Sequence, residues 1–266
     1  MAIIEKEQDL KNLRLSGKIL IQVLEKVVDA IRPGVKTNDL DQIAEHETKI
    51  NGARASFKGY QPSFSFTPYP GSICISINSE VVHGIPSQRE LYDGDIVSLD
   101  FGIEYKKMFT DCAITIPVGD VEEEHLKLIQ TTYKALCAGV KQTKAGNWTG
   151  DIGNAVESVA KKNSFHVVRT LVGHGVGYSE HEDPQVPNYG KKKTGTKLDN
   201  NLTIAIEPMI TMGSHDVELM KDNWTFVTDD DSYSAHFEQT VRATEKGAEI
   251  ITPYSERIKK YARISD

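Results

Sequence analysis

The sequence predicts an α+β fold in which one structural unit is used twice. Three observations carry this. A helix–helix–strand pattern occurs once in residues 6–120 and again in residues 121–250. The strand candidates fall into hairpin-like groups, which suits antiparallel sheet packed against helices. No linker rich in Pro, Gly or Ser divides the chain. The expectation is therefore one domain over residues 1–266, with a pseudo-two-fold axis and a cleft between its halves.

The elements follow in order. Leu10, Leu13, Leu20, Val23, Leu24, Val27, Val28 and Ile31 recur at three- and four-residue spacing, which predicts an amphipathic helix over 6–31. Pro33 and Gly34 stop it. Thr37 or Asn38 can cap a second helix running to about Asn51, with Gly52 as its stop. Strands are expected at 72–77, 81–83, 96–102 and 108–116. A second long helix spans 121–140. Then AGNWTGDIGNAVE at 145–157 matches PGVKTNDLDQIAE at 33–45 at an offset of 112 residues, with Gly34 on Gly146, Thr37 on Thr149, Asp39 on Asp151 and Glu45 on Glu157. Each copy lies between helices and precedes strand-like segments, the second set at 166–172, 202–208, 216–221 and 236–244. This is the pattern of an internal duplication.

Composition limits the function classes. A chain of 266 residues can bury a sizeable core, and 39% hydrophobic with 26% charged residues is ordinary for a globular protein. The net charge of −7 argues against specific nucleic-acid binding, and Lys191–Lys193 reads as a solvated loop. The N-terminus lacks the charged and apolar regions of a secretory signal, and no apolar run is long enough to span a bilayer. Cys74, Cys112 and Cys137 are odd in number and form no CxxC, against both a disulfide framework and a structural zinc site. A cytoplasmic location is expected, with no membrane partner.

The chemistry lies in carboxylates placed inside apolar segments. Asp is depleted in strands, and a buried unpaired carboxylate is costly. Yet Asp100 sits in Ile96–Phe101, Asp111 in Phe109–Ile114, Glu207 at the end of Ile204–Pro208, and Glu238 in Ala235–Val241. Any one alone would read as an edge-strand surface group. A turn centred between Tyr105 and Lys106 would set Asp100 directly opposite Asp111, with Cβ atoms roughly 5 Å apart. Such a pair needs a cation between its members, and two hard oxygen ligands make a seat for a divalent metal. His174 in Gly173-His174-Gly175 can join them, since its flanking glycines permit close backbone approach. Four carboxylates and one neutral imidazole balance two divalent ions, a set able to activate a shared water and polarise a carbonyl. His46, His125, His166 and His215 lack such company.

Taken in order, the segments Cys74–Asn78, Val82–Pro86, Gly94–Asp100, Gly173–Gly177, His181–Pro187, Ile206–Met209 and Ala235–Thr240 resemble the type I methionine aminopeptidases over nearly the whole chain. The resemblance implies the pita-bread fold, an antiparallel sheet covered by two helix pairs. It implies that Asp100, Asp111, His174, Glu207 and Glu238 hold two divalent ions (Co, Mn, Fe or Zn), with Asp111 and Glu238 bridging. His83 would contact the scissile amide, His181 would polarise the scissile carbonyl, and Glu207 would also carry a proton. Tyr69, Cys74 and Trp224 match positions that line a methionine pocket. The implied reaction is hydrolytic removal of an initiator methionine that precedes a small residue. Its implied partners are N-terminal methionyl peptides and nascent chains, the ribosome is a candidate partner, and the chain is expected to be a monomer. The 25 residues between His181 and Glu207 leave no room for the helical insertion of type II enzymes.

Two positions depart from many bacterial members. Glu180 stands where they carry an aromatic residue, and is expected to point to solvent and widen the pocket mouth. Gln239 stands where they carry His after the last ligand, with tuning of the site as the expected effect. The segment 61–68 is longer than usual and is expected to reshape the cleft rim. Two other readings compete. A non-catalytic peptide-binding relative is opposed by the intact ligand set. An X-Pro peptidase of the same fold is opposed by the short N-terminal region.

Overall fold

The computed structural model describes residues 1–62 and 65–265. Among the described residues five helices form: α1 (Glu7–Ala30), α2 (Thr37–Ile50), α3 (Glu123–Gln142), α4 (Thr149–Lys162) and α5 (Glu256–Ala262). The apolar stripe of α1 is buried at Leu13, Leu20, Leu24, Val27 and Val28, and the Ile31 N–H closes the helix on Val28 O. The duplication is visible in the coordinates. Helices α2 and α4 begin and end 112 residues apart, and α1 and α3 end at positions with the same offset. A single antiparallel bridge precedes each short helix, Lys36 to Glu90 and Trp148 to Lys197.

The matched threonines do the same work in both halves. Thr37 opens α2 instead of capping it: its hydroxyl donates to Ser87 O at 3.1 Å and accepts the Ser87 N–H at 2.8 Å. Thr149 likewise accepts the Thr196 N–H at 3.1 Å. Each hydroxyl ties a helix start to the loop returning from its own half.

In the first half, strand Ile96–Tyr105 pairs antiparallel with Met108–Pro117 on one edge and with Arg54–Ala55 and Cys74–Ile77 on the other. In the second, strands run in the order Gly247–Ile250, Gln239–Thr244, Thr203–Ile206, Gly173–Gly175, Glu182–Val186. The hairpin register corrects the expected one. Tyr105 pairs with Met108, so the two-residue turn is Lys106-Lys107, both with positive φ (50° and 64°). That is the conformation whose twist matches a tight hairpin. The shift sets Asp111 opposite Gly102, and Asp100 opposite Ala113. The period of two keeps both aspartates on one face, as diagonal neighbours.

Two expected strands are each split in two. The segment 202–208 becomes Thr203–Ile206 and Met209–Thr211, and 236–244 becomes Ser234–His236 and Gln239–Thr244. At Glu207-Pro208 and at Phe237-Glu238 the chain leaves one sheet for another: Gln239 pairs with Ile206, while His236 pairs with Met209. Pro208 has no N–H to continue a ladder. Both glutamates thus sit at kinks that turn their side chains out of the regular pleat. The segment 166–172 keeps only His166–Val167, and 216–221 only Val217–Leu219.

One hydrophobic cluster draws on both halves, including Leu24, Leu99 and Ile114 from the first and Leu136, Ile204 and Phe237 from the second. The halves are also joined by hydrogen bonds at their centre. The Glu238 N–H donates to Ala113 O at 2.9 Å, and the Asp111 N–H donates to Thr240 Oγ1 at 2.9 Å. The Thr240 hydroxyl in turn donates to Asp111 O at 2.8 Å. Thr240 is fully buried. Thr240→Val keeps its shape and removes both hydroxyl contacts, leaving a buried N–H unsatisfied, which should cost roughly 1–3 kcal/mol. Urea unfolding should show a lower midpoint with an unchanged slope. Parental stability would show that the seam is held elsewhere.

Candidate metal centre and substrate cavity

A cavity of about 590 Å³ opens between the halves. Its lining contains Tyr69, Cys74, His83, Asp100, Asp111, His174, His181, Glu207, Trp224 and Glu238, so folding brings every candidate site residue of the sequence to one place. Asp100 and Asp111 come from the first hairpin, His174 and His181 from the glycine-rich segment, and the two glutamates from the kinks.

Ligand atoms of Asp111, His174 and Glu238 lie within 4.8 Å of one another. His174 Nε2 stands 3.4 Å from Glu207 Oε1, while its Nδ1 lies 3.0 Å from Gly175 O. A Nδ1–H donated to that carbonyl leaves the Nε2 lone pair facing the carboxylates. The glycines on either side are required by close approach. A Cβ on Gly173 would meet Ala205 O at 2.4 Å, and one on Gly175 would meet Asp183 O at 2.3 Å.

The electrostatics are those of a site built for cations. Burial, followed by the charge of Asp111, pushes the Asp100 carboxyl well above its usual range. Burial lifts Asp111 to about 7. Burial, together with Asp100 and Asp111, raises Glu207 and Glu238 well above the usual range. Asp100 Oδ1 and Glu238 Oε1 are buried without a hydrogen-bond partner among the described residues. Hard oxygens clustered with one imidazole and left unsatisfied suit a divalent metal.

Opposite these acids lie neutral imidazoles. Burial lowers His83 to about 4, and burial with His174 and His83 nearby lowers His181 to about 2. His83 has φ of +61°, a backbone conformation rare outside glycine that persists only when surroundings enforce it. Its ring meets Trp224 edge-on, with centroids 6.0 Å apart. His181 stacks on Tyr60 at 5.1 Å and lies 4.2 Å from the His174 ring. Behind them Phe57, Tyr69, Cys74 and Trp224 form a buried apolar cluster. The indole N–H of Trp224 donates to Thr67 O at 3.1 Å, which anchors Thr67 to the cavity wall. Ser63 and Phe64 of the long segment 61–68 lie outside the described residues.

Glu180 overturns its expected position. It is 6% exposed and is absent from the cavity lining. Its Oε1 occupies the slot that a Cβ on Gly102 would fill, 2.4 Å from that point and beside Ser56 Oγ and the Phe57 ring. Gly102 pairs with Asp111, so the missing side chain opens a hole on the face of the sheet that carries the aspartates, and Glu180 folds into it. Burial, then the charge of Asp111, holds its carboxyl well above the ordinary range. Gln239 turns away from the acids and donates its amide to Thr252 O at 3.2 Å.

The sequence reading missed Phe57, Tyr60, Leu171 and Met209, which also line the cavity. They come from loops and strand ends, where no periodicity marks a common face. It also passed over His236, 1% exposed and 3.9 Å from Glu207, although a histidine in an apolar strand two positions before Glu238 was a usable signal.

The sequence profile of metallopeptidase family M24 matches residues 11–245. Methionine aminopeptidase 1 of Bacillus subtilis is 42% identical over 252 residues, 95% of this chain and 99% of that protein. The crystal structure of methionine aminopeptidase from Rickettsia prowazekii superposes with a TM-score of 0.90 at 37% identity, over 95% of this chain and all of that one. An Xaa-Pro dipeptidase from Bacillus anthracis shares the fold, with a TM-score of 0.76 at 22% identity over 96% of this chain and 63% of its own. With a family profile and close relatives that both span most of its length, the chain belongs to metallopeptidase family M24, among the methionine aminopeptidases.

Proposed function

We propose that the protein hydrolyses the bond after an N-terminal methionine, and that Asp100, Asp111, His174, Glu207 and Glu238 would hold two divalent ions for this reaction. The observation that carries this reading is the cavity itself, with unsatisfied buried acids on one wall and the apolar cluster of Tyr69, Cys74 and Trp224 on another. Divalent ions there would polarise the scissile carbonyl and lower the pKa of water. Glu207 takes the proton from the attacking water and passes it to the leaving amine. Neutral His181 donates to the oxyanion that develops on the carbonyl. His83, in the cavity lining, contacts the scissile amide. A thioether chain suits the apolar slot, since it is unbranched and polarisable. Manganese, iron, cobalt and zinc all match the donor set, and availability selects among them.

The same reading makes residues 1–266 one catalytic domain acting as a monomer on nascent chains in the cytoplasm, with the ribosome as a candidate partner. The cluster common to both halves supports the single domain. Cys74 and Cys112 are free thiols, which fits a reducing compartment, and no helix among the described residues is long and apolar enough to cross a membrane.

Protein stripped of metal and reloaded with single ions should regain cleavage of Met-Ala-Ser. Asp111→Asn should lose turnover by orders of magnitude and bind less metal. Near-parental turnover with two bound ions in that variant would sink its role as a ligand.

His181→Ala should lower kcat about a hundredfold at unchanged metal stoichiometry. Loss of an ion would mean that His181 is itself a ligand.

Metal-free protein should also show a distinct pH dependence. The folded-state values of these acids are raised, to about 7 for Asp111. The folded state therefore binds their protons more tightly than the unfolded chain does. That stability is complete below the unfolded carboxylate value of about 4 and is lost as pH rises through the folded values. The melting temperature without metal should fall as pH rises above about 4, Asp111 losing its contribution through about pH 7, and manganese should reverse the fall. A flat profile would show that the acids are compensated by other means.

A further inference from the structure

Glu207 has an imidazole on each side. His174 approaches Oε1 from within the cavity, at 3.4 Å. His236 approaches Oε2 from behind, with its Nε2 at 3.9 Å, and takes no part in the cavity lining. The backbone of His236 is held in place. It pairs with Met209 two residues beyond Glu207, and Thr115 both accepts its N–H at 2.8 Å and donates to its carbonyl at 2.9 Å. The ring is 1% exposed, yet neither nitrogen has a hydrogen-bond partner among the described residues. A neutral imidazole always carries one N–H donor, and burying such a donor unsatisfied is costly. The outer oxygen of Glu207 lies 3.9 Å from its Nε2 and can accept such a donor.

We propose that His236 is a positioning residue for Glu207, its ring N–H holding the outer carboxylate oxygen so that the inner one faces the cavity. The inference rests on the reading of Glu207 as metal ligand and proton carrier. It gives this buried histidine a role distinct from that of His83 and His181, which face the substrate space. Orientation from behind also fits the kink at Glu207-Pro208, where no regular ladder fixes the side-chain direction.

The test compares His236→Leu, which fills the volume without a donor, with His236→Gln, which restores one. Manganese affinity is read by calorimetry on metal-stripped protein, and kcat and KM are read on the reloaded enzyme. His236→Leu should weaken manganese binding roughly tenfold or more and lower kcat with little change in KM. His236→Gln should recover most of both. Parental manganese affinity in His236→Leu, or a Gln variant no better than Leu, overturns the inference. Glu207→Gln serves as the reference. If it keeps parental affinity, the reading of Glu207 falls and this inference with it; if it loses affinity while His236→Leu does not, the inference falls alone.

Discussion

Asp100, Asp111, Glu207 and Glu238 cannot all carry charge in a shared buried cavity unless cations join them. Burial of one carboxylate costs several kcal/mol, and each neighbour adds repulsion. The upward displacement of all these acids is the measure of that conflict. The surrounding fold is arranged to hold the conflict in place. Antiparallel pairing fixes the aspartates on one face, the kinks turn the glutamates toward them, and the seam binds Asp111 and Glu238 through their own backbones.

The surrounding polar groups show how little freedom is left. Asp111 uses its N–H and its carbonyl on Thr240, and its Oδ1 accepts the Cys112 N–H at 2.9 Å. Tyr254 donates its hydroxyl to Ala113 O at 2.6 Å and accepts the Glu238 N–H at 3.1 Å. Main chain on both sides of the seam is therefore satisfied, while acid oxygens at the cavity are not. The backbone is committed to structure, and the unsatisfied oxygens remain open to a cation.

Much of this was legible before any coordinates. Helix periodicity gave α1 and α3 to within a few residues, and the offset of 112 residues held at helix ends and bridges alike. Acids in apolar segments named the cluster, because composition and burial conflict there. The hairpin register was not legible. Lys106-Lys107 is an unusual choice for a turn with two left-handed residues, and nothing local distinguishes it from a turn one position earlier. The kinks were hidden for a similar reason, since a strand that changes partner reads as continuous apolar sequence. Glu180 failed in another way. Its place depends on an absent side chain at Gly102, seventy-eight positions away, and pattern along the chain carries no trace of such a hole.

The duplication has a final consequence. A repeated unit lends itself to a symmetric binding site, yet a peptide has a direction, with a free amine at one end and a continuing chain at the other. The seam places the acid cluster between the copies, where both contribute alike. Away from it the walls have diverged: Tyr69, Cys74 and His83 come from the first copy, and His181 and Trp224 from the second. Fusion into one chain lets each copy mutate alone, which two identical subunits cannot do. A scaffold of two like halves can thus present unlike walls to the two ends of a peptide.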